Sequence, residues 1–133
     1  MEVATLTEIS SQIRRDIVRM VADVSSGHPG GSLGCADFFT CLYFDVMNID
    51  PNNWSMNGDG EDLFFLSNGH ISPVLYSTLA HRGYFDKSEL ATFRRLNSRL
   101  QGHPSPAKGL EGVRIATGSL GQGLSVGIGA ALA

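Results

Sequence analysis

No apolar run in the sequence approaches the ~20 residues that a membrane-spanning helix needs, and Met1–Ser11 mixes polar and apolar residues with acids early, unlike a secretory signal. Cysteine is nearly absent. Cys35 and Cys41 fall six apart on one expected helix, about 9 Å at 1.5 Å per residue, beyond disulfide reach. They read as small buried hydrophobes of a reducing compartment, so a soluble, intracellular, cytoplasmic protein with no membrane partner is expected. A basic stripe is missing as well: 10 Lys and Arg stand against 13 Asp and Glu, for a net charge of −3. Arg14-Arg15 and Arg94-Arg95 read as solvated helix faces, and nucleic acid is not expected as a partner. No two histidines have the close spacing of a zinc site, although convergence in space is left open. At 133 residues the chain fits one domain, long enough to bury roughly two-thirds of its unfolded surface.

Glycine, by contrast, is plentiful, with 16 in the chain. Ser25–Gly34 reads Ser-Ser-Gly-His-Pro-Gly-Gly-Ser-Leu-Gly, a composition that disfavours a helix or strand and predicts tight turns with exposed N–H groups. His28 sits inside it, and an imidazole held in such a loop can change protonation near neutral pH. Two more Gly-His steps follow, Gly69-His70 and Gly102-His103, the latter repeating the tripeptide Gly-His-Pro. His81 falls in an expected helix and reads as an ordinary surface residue.

Between these loops the apolar positions Val3, Leu6, Ile9, Ile13, Ile17, Met20, Val21 and Val24 have the three-and-four spacing of an amphipathic helix, ended by Ser25-Ser26-Gly27. A second helix is expected from Cys35 to Met47, with Phe38, Phe39, Leu42, Tyr43 and Val46 as a broad buried face, and Asp50-Pro51 stops it. Gly58-Asp59-Gly60 reads as a turn. Leu63–Leu66 reads as a short strand buried on both faces, of the kind found in an α/β sheet, and Ser67-Asn68-Gly69-His70 follows at the end where such sheets place ligands. A helix from Ser72 to His81 starts with Pro73 in its first turn and stops at Gly83. Asp86 or Ser88 caps another, with Leu90, Phe93 and Leu96 inward. Gln101–Pro106 is loop.

Thr117-Gly118-Ser119-Leu120-Gly121-Gln122-Gly123 opens the last element. Each glycine inside a helix costs about 1 kcal/mol against alanine, so close packing or a ligand is expected here. The helix start would offer free N–H groups to a phosphate or a polar heterocycle; tight helix packing accounts for Gly127 and Gly129. The apolar, small-residue ending at Ala133 predicts that the native polypeptide, or a partner, continues.

In this order and spacing, Ser26–Gly34, Ser67–His70, Gly102–Pro104 and Thr117–Gly123 resemble the N-terminal, diphosphate-binding domain of transketolase, over essentially the whole chain. Deoxyxylulose-phosphate synthases share the architecture but typically lack the proline of the first motif and the Ser-Asn-Gly-His form of the second. The resemblance implies the α/β fold of thiamine diphosphate enzymes, a three-layer α/β/α arrangement of which residues 1–133 would be a helix-rich, incomplete part cut inside its last helix. It implies transfer of a two-carbon ketol unit from a ketose phosphate to an aldose phosphate, the cofactor serving as electron sink. Carried over motif by motif, His28 and His103 match the histidines that face substrate oxygens and assist proton transfer, and His70 the one beside the diphosphate. Gly118, Ser119 and Leu120 match the loop that holds the aminopyrimidine and thiazolium part.

Two departures accompany the likeness. The family's magnesium-binding Gly-Asp-Gly follows the last helix seen here, so Asp59 in Gly58-Asp59-Gly60 comes too early and no metal ligand is assigned in this chain. The activating glutamate belongs to a second domain. Sugar phosphates, the remaining transketolase domains or a C-terminal subunit, and a homodimer or heterotetramer are therefore the expected partners, and the chain alone is expected to be inactive. The alternatives are a non-catalytic binding or assembly module derived from the same fold, and a small α/β domain with histidine-bearing turns.

Overall fold

The computed structural model describes residues 1–133 and consists of helices and loops. Helix α1 (Val3–Val24) buries Ile13, Ile17 and Met20 along one stripe, as its periodicity predicts. It ends at Ser25, whose left-handed φ of 50° lets the N–H groups of Ser25 and Ser26 return to the carbonyls of Ala22 and Val21.

The expected loop is half helix. Pro29–Gly34 forms the short helix α2, with Pro29 in its first turn, where the missing N–H is no loss. Of its three glycines, only Gly31 is required by close packing: a Cβ there would come within 2.8 Å of Ile71, whereas Gly30 and Gly34 have nothing within 4 Å. His28 is therefore the residue before a helix, and its carbonyl accepts from the Ser32 hydroxyl at 3.0 Å. The helix expected at 35–47 forms in two pieces, α3 (Ala36–Cys41) and a π-helical turn at Leu42–Val46. Only part of its expected face is buried: Phe39 and Tyr43 are in the core, whereas Phe38 and Val46 are exposed. Cys35 is half-buried and Cys41 exposed, both as free thiols, so neither is the buried hydrophobe expected of it.

Helix α4 (Ser72–Arg82) is the centre of the molecule. Every residue from Ser72 to Ala80 is buried, with α1, α2, α3 and the 3-10 turn Lys87–Thr92 packed around it. The stretch carries no charge, and its hydroxyls find partners, Thr78 Oγ1 donating to the Val74 carbonyl at 2.7 Å. Gly83 ends it with φ 101°. Asp86 caps the Lys87–Thr92 turn by accepting from Ser88 N–H at 2.7 Å. Leu90 and Phe93 face inward, but Leu96 is 93% exposed, on a loop that Arg94 and Asn97 enter with positive φ.

Leu63–Leu66 forms no strand, and no segment of the chain pairs with it. A buried parallel strand depends on neighbours on both sides; here the apolar run packs on helices instead, with Phe64 edge-on to Phe39 and Tyr43 at 5.3 and 5.5 Å between ring centroids. The α/β layering expected from the sequence is therefore not present in these residues. Gly58-Asp59-Gly60 is the expected turn, with φ of 70° and 78° at the two glycines and Glu61 N–H bonded to the Gly58 carbonyl. The last helix, α5, spans Gln122–Leu132.

Candidate functional site

The three Gly-His steps meet around the N-terminal end of α4. His70 lies in the 3-10 turn Gly69–Ile71 that leads directly into that helix, and its ring stands edge-on to His28 with centroids 5.1 Å apart. The loop before His103 is tied to the same helix end: Ser72 Oγ donates to the Gly102 carbonyl at 2.9 Å and the Tyr76 hydroxyl to the Gln101 carbonyl at 2.8 Å. Burial pushes the Tyr76 phenol well above its ordinary titration range, so it remains a neutral donor. His28 and His103 are exposed, while His70 is half-buried.

Arg94 joins the first loop to the third. Its Nη1 donates to Ser26 Oγ at 2.7 Å, and its guanidinium lies so close to Gly102 that a Cβ there would be 2.6 Å from Nη2. Val24, Ser26, Arg94, Gln101, Gly102 and His103 line a shallow cleft of about 420 Å³. Arg94 is thus no solvated helix face: it sits in a loop with its Nε buried and unpartnered.

The Thr117–Gly123 motif packs against the second and third loops. A Cβ on Gly118 would meet the His103 ring at 3.2 Å, and one on Gly69 would lie 2.6 Å from Thr117 Oγ1. Gly118, Ser119 and Leu120 are exposed, and their N–H groups donate to nothing within the chain. The start of α5 differs from expectation. Gly121 and Gly123 N–H both donate to Ser67 Oγ, at 3.1 and 3.2 Å, so these donors are not free for an anion. Nor does close packing explain Gly129, which has nothing near its missing side chain, or Gly127, which has only Phe65 at 3.9 Å.

His81 is elsewhere and is not a surface residue. Its side chain is 12% exposed and its Nε2 lies 2.8 Å from Asp16 Oδ2, in a cluster that ties α1 to α4. No group of three or more His, Cys, Asp or Glu is arranged to hold a metal ion.

An imidazole beside free backbone N–H groups and a buried, unpartnered Thr117 hydroxyl suits a ligand that needs donors. The residues present fit thiamine diphosphate on that ground: donors for an anionic end near His70 and Thr117, and exposed loop backbone at 118–120 for a heterocycle. Sequence reasoning finds the histidines and the glycine loop, and it marks the motif that Ser67 opens, but it misses what Ser67 caps and gives no role to Arg94, Ser72 or Tyr76. All four act across the chain through polar atoms whose partners lie 25 or more residues away, and no local pattern marks those partners.

Residues 6–133 match the family model for the transketolase thiamine diphosphate binding domain. Over its full length the chain is 38% identical to one subunit of the apulose-4-phosphate transketolase of Phocaeicola vulgatus, covering 46% of that polypeptide. It is 41% identical over 127 residues to the transketolase of Buchnera aphidicola subsp. Acyrthosiphon pisum, covering 95% of this chain and 19% of that one. The crystal structure of transketolase from Campylobacter jejuni superimposes with a TM-score of 0.84 at 37% identity, over 97% of this chain and 20% of that one. The chain thus spans less than half the length of each. Its four motifs, its fold and these likenesses together place it: the chain belongs to the transketolase family, through that family's thiamine diphosphate binding domain.

Proposed function

We propose that residues 1–133 are part of a transketolase that moves a two-carbon ketol unit from a ketose phosphate to an aldose phosphate. The observation that carries this reading is the grouping of His28, His70 and His103 with the Gly118–Leu120 loop. Bound thiamine diphosphate would supply the electron sink that lets a carbon–carbon bond beside a carbonyl break. The chain's own residues bind, orient and move protons. His28 and His103, exposed on neighbouring loops, are suited to hold substrate hydroxyl and carbonyl oxygens and to pass protons to and from them. His70, half-buried beside His28, would donate to the cofactor's anionic end in this reading. Gly118, Ser119 and Leu120 offer three N–H donors at fixed spacing to its ring portion.

The rest of the site lies outside this chain in this reading. Magnesium, the activating carboxylate and most contacts to the sugar phosphates would come from further domains or a C-terminal subunit, in a homodimer or heterotetramer in the cytoplasm. Two features support it: the Phocaeicola relative is itself one subunit of a transketolase, and Leu124, Ile128 and Leu132 of α5 are exposed at 69, 55 and 83%. The test is complementation. The chain is mixed with a polypeptide supplying the remaining domains, together with thiamine diphosphate and magnesium, and ketol transfer is assayed. Turnover that requires both polypeptides is expected; a folded, associated complex without turnover would favour a non-catalytic assembly module.

A further inference from the structure

Helix α5 has an unusual start. Its N-cap residue is Gly121, left-handed at φ 91° and without a side chain to accept the first N–H groups of the helix. The acceptor comes instead from Ser67, 54 residues earlier, whose Oγ takes both Gly121 N–H and Gly123 N–H. The backbones meet closely enough that a Cβ on Gly123 would lie 2.6 Å from Ser67 Cα, so only glycine admits this approach. Two residues on, Gly69 is pressed against Thr117 in the same way. The 67–69 segment therefore grips both ends of the Thr117–Gly123 motif and leaves Gly118, Ser119 and Leu120 between the two grips with unused N–H groups.

We propose that Ser67 is a positioning residue for this loop: its hydroxyl caps α5 from outside the helix and fixes the 118–120 backbone beside His70 and His103. It follows that the α5 terminus does not itself bind the diphosphate, because its donors are taken up: Gly121 and Gly123 N–H by Ser67 Oγ, and Gln122 and Leu124 N–H by the Ser119 and Gly121 carbonyls. The proposal rests on the reading above, in which 118–120 hold thiamine diphosphate, and the experiment separates the two.

Wild-type chain, Ser67→Ala and Ser67→Thr are each assembled with a polypeptide supplying the remaining domains. Three quantities are measured: hydrogen exchange of a peptide spanning residues 117–124, the dissociation constant for thiamine diphosphate by calorimetry, and ketol-transfer kinetics with cofactor varied. Ser67→Ala should speed exchange at least about fivefold, the size of a lost helix cap. It should weaken cofactor binding by about tenfold, with kcat at saturating cofactor within about twofold of wild type. Ser67→Thr, which keeps the hydroxyl, should restore exchange and affinity. Unchanged affinity in Ser67→Ala, in a complex whose wild type binds the cofactor, would overturn the positioning role, as would a loss that Ser67→Thr does not restore. A wild-type complex that binds no thiamine diphosphate would overturn the functional reading itself, even where exchange responds as expected.

Discussion

Arg94 holds Ser26 through a 2.7 Å bond from Nη1 to Oγ while its guanidinium covers Gly102, so one side chain sets the distance between the two Gly-His-Pro loops. The backbone at Arg94 is left-handed, with φ 55°, and its N–H is tied to the Leu100 carbonyl at 2.8 Å. A non-glycine residue keeps that conformation only where its surroundings demand it. Arg94→Ala should therefore lower kcat/KM of the assembled enzyme by about tenfold or more. Gly102→Ala should have a similar effect without unfolding the chain, because the added Cβ displaces the flexible end of Arg94 rather than backbone. The double mutant should be no worse than either single mutant, since both remove one contact. Additive losses in this cycle would show that Arg94 and Gly102 act independently.

Asp16 governs stability rather than chemistry. Its carboxylate accepts from Gln12 Nε2 at 2.9 Å, Arg19 Nη1 at 3.3 Å and Ser77 Oγ at 3.2 Å, and it pairs with His81 Nε2 at 2.8 Å. Ser77 is buried and His81 nearly so. Asp16→Ala leaves both without an acceptor and should cost about 2–4 kcal/mol in urea unfolding. A loss below about 1 kcal/mol would mean that water replaces the carboxylate.

The histidines illustrate how far sequence reading reaches. That His28, His70 and His103 belong together is legible because each stands directly after a glycine in a loop, a local pattern repeated three times. His81 is misread because its meaning depends on Asp16, 65 residues away, and on the complete burial of the helix face beside it. Helix α1 is legible from its stripe, whereas α4, uncharged and buried on all sides from Ser72 to Ala80, gives a helix signal but no sign that it is the core. The strand at Leu63–Leu66 fails for a related reason: an apolar run predicts burial, and pairing needs partners that this segment lacks here. The start of α2 escapes a reading that treats proline and glycine as breakers, although proline in a first turn favours a helix.

Acid should loosen the contact between α1 and α3. Arg14 donates to both Asp37 oxygens, at 2.9 and 2.7 Å, and Ser10 Oγ donates at 2.5 Å. These hydrogen bonds, Arg14 first, hold the Asp37 carboxyl at about 2, below the usual carboxylate range. A depressed folded-state pKa stabilises at pH above the unfolded value and is lost as pH falls, here between about 4 and 2. Asp37 is 73% exposed, so water and salt screen the pair and its contribution stays below about 1 kcal/mol. Asp37→Asn should flatten the stability profile only in that window; a difference of the same size at every pH from 2 to 7 would assign the effect to packing instead.

Substitution of the three loop histidines should divide them by role. His28 and His103 are exposed and free to meet substrate, so His28→Ala and His103→Ala should each lower kcat of the assembled enzyme by about 10²-fold or more, the usual range for a lost proton-transfer group. His70 is half-buried and follows Gly69, which is itself pressed against Thr117. His70→Ala should instead raise the cofactor concentration needed for half-maximal rate, with most of kcat recovered at saturation. The ring contact between His28 and His70 sharpens the comparison, since losing either ring frees space beside the other. Should His70→Ala resist rescue by cofactor while His28→Ala and His103→Ala remain near wild type, the assignments must be exchanged: the half-buried ring would be carrying the proton, and the exposed pair would only line the entrance.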